Sequence, residues 1–322
     1  MVTNQPPNPL RIIFMGTAEI ACPVLKELAA HHDFQIAAVV SQPDRPKGRK
    51  LTVQPSPVKT TALDLDLPIL QPNRCREESF LAELKNLKPD LIAVMAYGQI
   101  LPSAILELPP LGCMNVHTSL LPKYRGAAPI QWAIWNGDSE TGVTITRMDA
   151  GLDTGDILSA EKIPITATDT AQTIHDRLGM IGADLLVKTI HGFANGEIIP
   201  TPQTSEGVTL ARKITREDGR LDWSKTAHHL GCQVRALTPW PGTFSEWVCG
   251  DTTTHIKIWT AEPTEAPDVE PGQVMKADRE GIVITCGKGA LRILELQKQG
   301  GRRLVAQDFL SGNVIQPGDR FI

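Results

Sequence analysis

The sequence lacks the marks of a secreted, membrane-spanning or zinc-finger protein. It has no run of about 18 apolar residues, the length that a membrane-spanning helix needs. Residues 1–9 are polar and proline-rich, without the apolar core of a signal peptide. The six cysteines include no Cys-x-x-Cys pair and no Cys/His set at zinc-finger spacing. We therefore predict reduced thiols, a cytoplasmic location and a disordered tail over residues 1–9.

A strong charge of one sign and a dinucleotide-binding fingerprint are also missing. The net charge is −4 at pH 7, so any RNA contact would need local basic patches. No Gly-x-Gly-x-x-Gly follows the first apolar segment, although Gly16 stands where a strand would turn into a helix. A lone glycine there usually serves backbone geometry. The α/β order alone would permit a nucleotide-dependent oxidoreductase, and the missing fingerprint counts against that class.

The order of apolar segments predicts two kinds of structure. Predicted strands at 11–16 and 35–40 flank a predicted helix at 23–30, and a further buried strand spans 90–96. This order predicts an α/β fold with a Rossmann-like, mostly parallel sheet and helices on both faces. From residue 243 onward, short apolar segments alternate with glycine-containing turns, which predicts a small β-barrel. The predicted division is a catalytic domain at 10–195, a linker at 196–215 and a C-terminal domain at 216–322.

Two polar side chains stand two residues apart after the strand at 90–96. Asn115 and His117 would lie on one face of a strand, because side chains alternate along it. An amide donor beside an imidazole suits acyl chemistry, since one can stabilise an oxyanion and the other can move a proton. The alternative is a core histidine that is hydrogen-bonded at a strand end, and these two residues alone do not exclude it.

An aspartate-rich loop follows the predicted strand at 143–148. It contains Asp149, Asp153 and Asp156 among several glycines. Each carboxylate could simply cap a turn, as aspartates in such loops usually do. One of them could instead orient or activate His117, and residue type does not select which.

Several motifs together carry a resemblance to a known family. They are residues 115–122 (Asn-Val-His-Thr-Ser-Leu-Leu-Pro), 126–130 (Gly-Ala-Ala-Pro-Ile) and 149–155 (Asp-Ala-Gly-Leu-Asp-Thr-Gly), with support from 14–17, 42–46, 55–59 and 236–241. The chain resembles the formyltransferase family, whose formyl donor is 10-formyltetrahydrofolate, over its whole length. The resemblance implies transfer of the formyl group to the amino group of methionyl-tRNA, which makes initiator formylmethionyl-tRNA for translation initiation.

The resemblance also implies catalytic roles. Asn115 would donate a hydrogen bond to the tetrahedral oxyanion, and His117 would pass a proton to the folate leaving nitrogen. Asp153, which the family match selects over its neighbours, would hold His117 and relay a proton. No metal is needed, because the formyl group is already activated, and neither a membrane nor an obligate protein partner is implied.

Binding residues are implied in the same way. The pterin pocket would be lined by Tyr97, Gly98, Gln99 and Ile100, and the folate-binding turn would comprise Ser119, Leu120, Leu121 and Pro122. The tRNA would be gripped by a basic loop and by an OB-like C-terminal barrel, through Arg45, Lys47, Arg49, Lys50, Lys298, Arg302 and Arg303. From the residues alone, a solvated loop and a solvated barrel face remain alternatives for these basic groups.

Two further alternatives concern function. A related enzyme could formylate a small amine, such as an amino sugar nucleotide or glycinamide ribonucleotide. A catalytically inert RNA-binding protein could retain the same fold. The basic loop and the barrel favour tRNA as the acceptor, and the intact set of Asn115, His117 and Asp153 argues against an inert protein.

Overall fold

The computed structural model describes residues 9–47, 52–267 and 269–322, so nearly all of the predicted tail lies outside the described residues. In chain order, the part up to residue 194 contains β1 (Leu10–Gly16), α1 (Cys22–Ala30), β2 (Phe34–Val40), β3 (Arg45–Lys47), β4 (Thr52–Gln54), α2 (Pro57–Asp64), β5 (Ile69–Leu70), α3 (Glu78–Leu87), β6 (Leu91–Met95), α4 (Ser103–Leu106), β7 (Cys113–His117), β8 (Arg125–Gly126), α5 (Pro129–Trp135), β9 (Glu140–Arg147), β10 (Asp156–Pro164) and α6 (Ala171–Ala194).

The central sheet has the order β10-β9-β7-β6-β1-β2-β5. Strands β7, β6, β1, β2 and β5 pair in parallel, and β9 runs antiparallel to β7. All five residues of β6 are buried, as expected for a strand covered on both faces. The predicted mostly parallel α/β sheet is confirmed, with an antiparallel extension at one side.

The segment that was predicted to be an irregular basic loop contains regular structure. Strands β3 and β4 form an antiparallel pair, with Pro46 opposite Val53. The prolines argued against a strand, but a two-stranded pair has only edge strands, where a proline without an N–H group is tolerated. Arg49 and Lys50 lie outside the described residues.

The remainder of the chain is rich in short antiparallel strands. It contains β11 (Leu210–Ala211), α7 (Ala227–Ala236), β12 (Thr243–Cys249), β13 (Thr252–Thr264), β14 (Val274–Asp278), β15 (Gly281–Thr285), β16 (Ala290–Lys298), β17 (Leu304–Val305), α8 (Ala306–Gly312) and β18 (Arg320–Phe321).

These strands form a curled sheet in the order β14-β15-β16-β13-β12-β18. A bridge between Gln273 and Arg320 links the two outer strands of that order, so the sheet curls towards closure. Its interior is apolar and fully buried at Ile256, Ile258 and Leu291. The predicted small β-barrel of the C-terminal part is confirmed as a curled, barrel-like antiparallel sheet.

By its internal contacts the chain forms two compact units, each made of several segments. One comprises residues 1–126, 141–163 and 175–210, and the other comprises 127–140, 164–174 and 211–322. Residues 127–140 group with the second unit because α5 packs against α7, where Trp135 Nε1 donates to His229 Nε2 at 3.2 Å. Among the described helices, none has the length and apolar character to cross a bilayer.

Candidate active site

Asn115 and His117 lie at the carboxyl end of β7, between two neighbouring strands. Asn115 is opposite Val94 of β6 and Thr146 of β9, and His117 is opposite Thr144. The carboxyl ends of parallel strands are where open α/β sheets bind ligands. The structure therefore places both predicted side chains at the edge where a substrate is expected.

Asn115 is half-buried, and its amide makes no hydrogen bond to any described residue. A buried amide normally finds a protein partner. Because the Asn115 amide has none, its two N–H groups are available to a bound substrate.

His117 is almost fully buried, and its ring is hydrogen-bonded through one nitrogen and faces Asp153 with the other. Its side chain is 6% exposed, and Nε2 lies 3.0 Å from the Tyr124 carbonyl oxygen. A carbonyl can only accept, so Nε2 is the donor in that contact. The other nitrogen, Nδ1, lies 3.7 Å from Asp153 Oδ1. This arrangement leaves Nδ1 as the ring atom that can exchange a proton on the Asp153 side.

Asp153 is held in position by contacts on both its side chain and its backbone. Its Oδ2 accepts from the Gly126 N–H at 2.8 Å, and its backbone has a left-handed φ of 51°. Gln203 Nε2 donates to the carbonyl oxygens of Asp153 and Gly155, each at 2.8 Å. Gln203 Oε1 in turn accepts from Arg125 Nη2 at 2.7 Å. The loop that carries the carboxylate is therefore clamped by a residue from the predicted linker.

The other two aspartates of the loop do not share this position. Asp149 is exposed, and its Oδ1 accepts from the Gly151 N–H at 3.0 Å and from Thr154 Oγ1 at 2.6 Å. Asp156 begins β10. A side chain at Gly155 would collide with the Arg147 carbonyl, so this glycine lets the loop pass close to β9. Within the described residues, only Asp153 of the three is brought to His117.

The predicted folate-binding turn, Ser119 to Pro122, is closed by internal hydrogen bonds. Ser119 is fully buried, and its hydroxyl donates to the Lys123 carbonyl at 2.6 Å. Thr144 Oγ1 donates to the Ser119 carbonyl at 2.7 Å and accepts from the Leu121 N–H at 3.1 Å. The Ser119 hydroxyl therefore shapes the turn, and contacts to a ligand from this turn are left to its backbone and to Leu120 and Pro122, which are half-buried.

The predicted pterin segment, Tyr97 to Ile100, follows β6 at the same edge of the sheet. The Tyr97 carbonyl accepts from Thr17 Oγ1 at 2.8 Å, and Ile100 is 89% exposed. Burial raises the pKa of the Tyr97 phenol, with a smaller contribution from nearby Cys75, and its hydroxyl has no hydrogen-bond partner among the described residues. Gln99 Oε1 accepts from the Cys75 N–H at 2.9 Å. The backbone around Gly98 and the Ile100 side chain thus face outward, while Tyr97 and Gln99 support them.

The predicted tRNA-contacting residues are exposed wherever the structure describes their side chains. Arg45 Nη2 donates to Gln42 Oε1 at 3.4 Å, and only the backbone of Lys47 is described. In the second unit, Lys298, Arg302 and Arg303 are all exposed. The Arg303 guanidinium binds Glu295, lowering the pKa of that carboxyl, and lies 5.1 Å from the centre of the Trp259 ring.

Sequence reasoning missed the residues that support the site. Tyr124, Arg125 and Gln203 contribute a carbonyl, a guanidinium and an amide that fix His117 and Asp153. No spacing pattern connects Gln203 to Asp153, and its segment was predicted to be a linker because of its prolines. Tyr124 and Arg125 directly precede the motif at 126–130, and this position in the sequence was the only indication that they belong to the site.

Comparison with known proteins places this arrangement in a family. A family model described as formyl transferase matches residues 10–190, and one described as formyl transferase, C-terminal domain, matches residues 213–314. The fold is shared with an N-formyltransferase of Helicobacter canadensis, whose structure contains folinic acid and dTDP-3-aminofucose, at a TM-score of 0.66 and 20% identity over 92% of this chain and 100% of the other. HypX of Aquifex aeolicus, in complex with tetrahydrofolic acid, gives a TM-score of 0.60 at 18% identity over 96% of this chain and 50% of that one.

Two relatives are much more similar in sequence. The methionyl-tRNA formyltransferase of Citrifermentans bemidjiense is 46% identical, covering 96% of this chain and 95% of its own. The methionyl-tRNA formyltransferase of Ralstonia nicotianae is 47% identical, covering 97% of this chain and 98% of its own. Because the likeness extends through both matched domains at this level of identity, the chain belongs to the methionyl-tRNA formyltransferase family.

Proposed function

We propose that this chain transfers the formyl group of 10-formyltetrahydrofolate to the amino group of methionyl-tRNA, acting in the cytoplasm where translation begins. The observation that carries the chemistry is the placement of an unpartnered Asn115 amide beside His117, with Asp153 Oδ1 3.7 Å from His117 Nδ1. These are the groups that acyl transfer to an amine requires: an oxyanion donor and a proton carrier with an orienting carboxylate. The acceptor is supported by the close likeness to methionyl-tRNA formyltransferases.

Each residue has one task in this reaction. Asn115 donates a hydrogen bond to the formyl oxygen as negative charge develops there. His117 takes a proton from the attacking amine and delivers it to the departing folate nitrogen. Asp153 orients the His117 ring and stabilises its protonated form. The acyl group is passed directly from donor to acceptor, so no covalent attachment to the protein is required.

The folate donor would lie against the edge formed after β6 and β7. The exposed Ile100 offers an apolar surface for a flat ring, and the open backbone near Gly98 offers hydrogen-bonding groups. The turn from Ser119 to Pro122 is held rigid by Thr144, so it forms a fixed wall beside His117. Preformed walls of this kind are typical of small-molecule sites.

Replacing Asp153 by asparagine tests the carboxylate in this scheme. Asparagine also tolerates the left-handed backbone and retains an oxygen for the Gly126 N–H, so only the charge facing His117 is lost. We expect kcat for formyl transfer to fall by roughly 10²-fold or more, with an unchanged melting temperature. Asp149→Asn makes the same chemical change at an exposed turn and is expected to leave kcat unchanged. Equal losses in both variants would contradict the role of Asp153.

The acceptor is tested by comparing methionyl-tRNA with small amines. Labelled formyl from 10-formyltetrahydrofolate should appear on methionyl-tRNA and not on a dTDP-linked amino sugar or glycinamide ribonucleotide. Formylation of a small amine with methionyl-tRNA inert would leave the site chemistry in place and overturn the substrate. A folate donor that is not bound at all would overturn both.

The basic segment at 45–50 is expected to serve tRNA capture and not chemistry. Substituting Arg45, Lys47, Arg49 and Lys50 by alanine should raise KM for methionyl-tRNA roughly 10–100-fold and flatten its salt dependence, since phosphate contacts are lost. The KM for the folate donor should stay unchanged. A control with the same loss of charge replaces four exposed residues near α3: Arg74, Arg76, Lys85 and Lys88. If the control raises KM for tRNA as much, the effect is one of net charge and the segment has no specific role.

A further inference from the structure

A cluster of imidazoles and one carboxylate lies on the first unit, where the turn between α1 and β2 meets α6. The turn contributes His31, His32 and Asp33, and α6 contributes His191. The Phe34 N–H donates to the His31 carbonyl at 3.1 Å, and the Leu10 N–H donates to the Asp33 carbonyl at 2.8 Å. The backbone of the turn is therefore fixed, and its side chains project from defined positions.

The distances within this cluster suit a metal ion better than direct hydrogen bonds. Asp33 Oδ2 lies 3.7 Å from His31 Nδ1 and 3.7 Å from His191 Nε2, and one potential ligand atom from each of the three residues lies within 4.8 Å of the others. A separation of 3.7 Å is too long for a hydrogen bond. Ligand atoms at about 2.0–2.2 Å from a tetrahedral zinc ion are roughly 3.3–3.6 Å apart. Small side-chain movements would bring all three atoms to coordination distance.

The buried ring nitrogen of His31 gives a second, independent indication. His31 Nδ1 is buried and has no hydrogen-bond partner in the part of the chain that the structure describes. A buried polar atom without a protein partner is unusual, and a water molecule or an ion can satisfy it. The same nitrogen is the one that faces Asp33 Oδ2, so a cation between the three side chains would satisfy it.

Ring packing holds the two imidazoles in place. The His31 and His191 ring centres are 5.0 Å apart, and Phe34 lies 4.9 Å from the first and 5.0 Å from the second. His32 Nε2 lies 3.2 Å from Asp33 Oδ1, the oxygen that does not face the other two histidines. A metal-bound carboxylate is commonly oriented by such an outer partner.

We propose that His31, Asp33 and His191 bind one divalent transition-metal ion of the zinc class. Two imidazole nitrogens and one carboxylate oxygen match the ligand preferences of Zn²⁺. Mg²⁺ prefers oxygen ligands, so two imidazoles would bind it poorly. The three side chains are 27%, 43% and 36% exposed, which leaves the fourth coordination position open to water. The ion would tie the α1–β2 turn to α6 and so stabilise the first unit.

Isothermal titration of untagged, chelator-treated protein with Zn²⁺ tests this site, with Mg²⁺ as the comparison. We expect one equivalent of Zn²⁺ to bind and to raise the melting temperature, because an ion that binds only the folded state stabilises it. His191→Ala and Asp33→Asn should weaken Zn²⁺ binding by more than about 100-fold, and His32→Ala by roughly 10-fold, as an outer partner. His175→Ala, on the same helix beside Asp176, should bind as the unmodified protein does.

The alternative is a plain ring cluster that binds no metal. Unfolding of each variant without Zn²⁺ separates a general loss of folding from the loss of a ligand. The proposal is overturned if Zn²⁺ does not bind, or if binding survives in both His31→Ala and His191→Ala. It is also overturned if His117→Ala abolishes the binding, since the ion would then occupy the candidate active site.

Discussion

Replacing His117 by alanine is expected to lower kcat for formyl transfer by roughly 10²–10⁴-fold, the usual contribution of a positioned proton carrier. His117 Nε2 donates to the Tyr124 carbonyl, and Nδ1 faces Asp153 Oδ1 at 3.7 Å. Removal of His117 leaves Cys113 as the one titratable group on β7, and burial raises the pKa of that thiol to about 12. Rates measured with saturating folate donor and methionyl-tRNA report this loss directly.

The His117 variant needs controls for folding, because the side chain is buried and its loss leaves the Tyr124 carbonyl without this donor. Such a loss typically costs about 1–3 kcal/mol of stability. Denaturant unfolding measures that cost separately from the rate. Added imidazole should restore part of the rate if the missing function is chemical. His175→Ala removes a half-buried histidine of α6 that also neighbours a carboxylate, and its rate should not change. A loss of less than tenfold in a folded His117→Ala protein would refute the catalytic assignment.

The second large effect is expected for Asn115→Asp. The aspartate has the same shape but, when ionised, can only accept hydrogen bonds. It therefore cannot donate to an oxyanion and would repel it. We expect kcat to fall by about 10²–10³-fold, the range for loss of one oxyanion donor. Because the charge develops only in the transition state, KM for the folate donor should change little.

The matched control for this change is Asn86→Asp, an identical substitution at an exposed position of α3. It separates the effect of one added negative charge from the loss of the Asn115 donor. A large rise in KM for folate with an unchanged kcat would contradict an oxyanion role. Asn115 would then be a group that binds the donor in its ground state.

The sheet was predictable because its strands and helices have strong local patterns. Leu91–Met95 is a continuous apolar run, and all five residues are buried. Ile174, Leu178 and Leu186 recur at the spacing of one helix face, which is typical of an amphipathic helix, and α6 spans Ala171–Ala194. In both cases the pattern of apolar residues reports directly which faces are covered by the rest of the protein.

The contacts that select the site were not predictable, because they join segments far apart in the chain. Which of three aspartates meets His117 depends on the left-handed backbone at Asp153 and on the Gln203 clamp. The proposed metal ligands are likewise split between a turn and a distant helix, so sequence spacing could not unite them. The grouping of α5 with the second unit depends on tertiary contacts with α7 and leaves no periodic signal.

The contact between Gln203 and the Asp153 loop sets the order in which parts of the site can form during synthesis. Asn115, His117 and Asp153 are all synthesised before Gln203, whose amide reaches back over 50 residues to the Asp153 carbonyl. A nascent chain can therefore contain every proposed catalytic group while one of them still lacks the contact that fixes its loop. The Asp153 loop can gain this contact only after residue 203 has been synthesised, so the site is complete no earlier than that point.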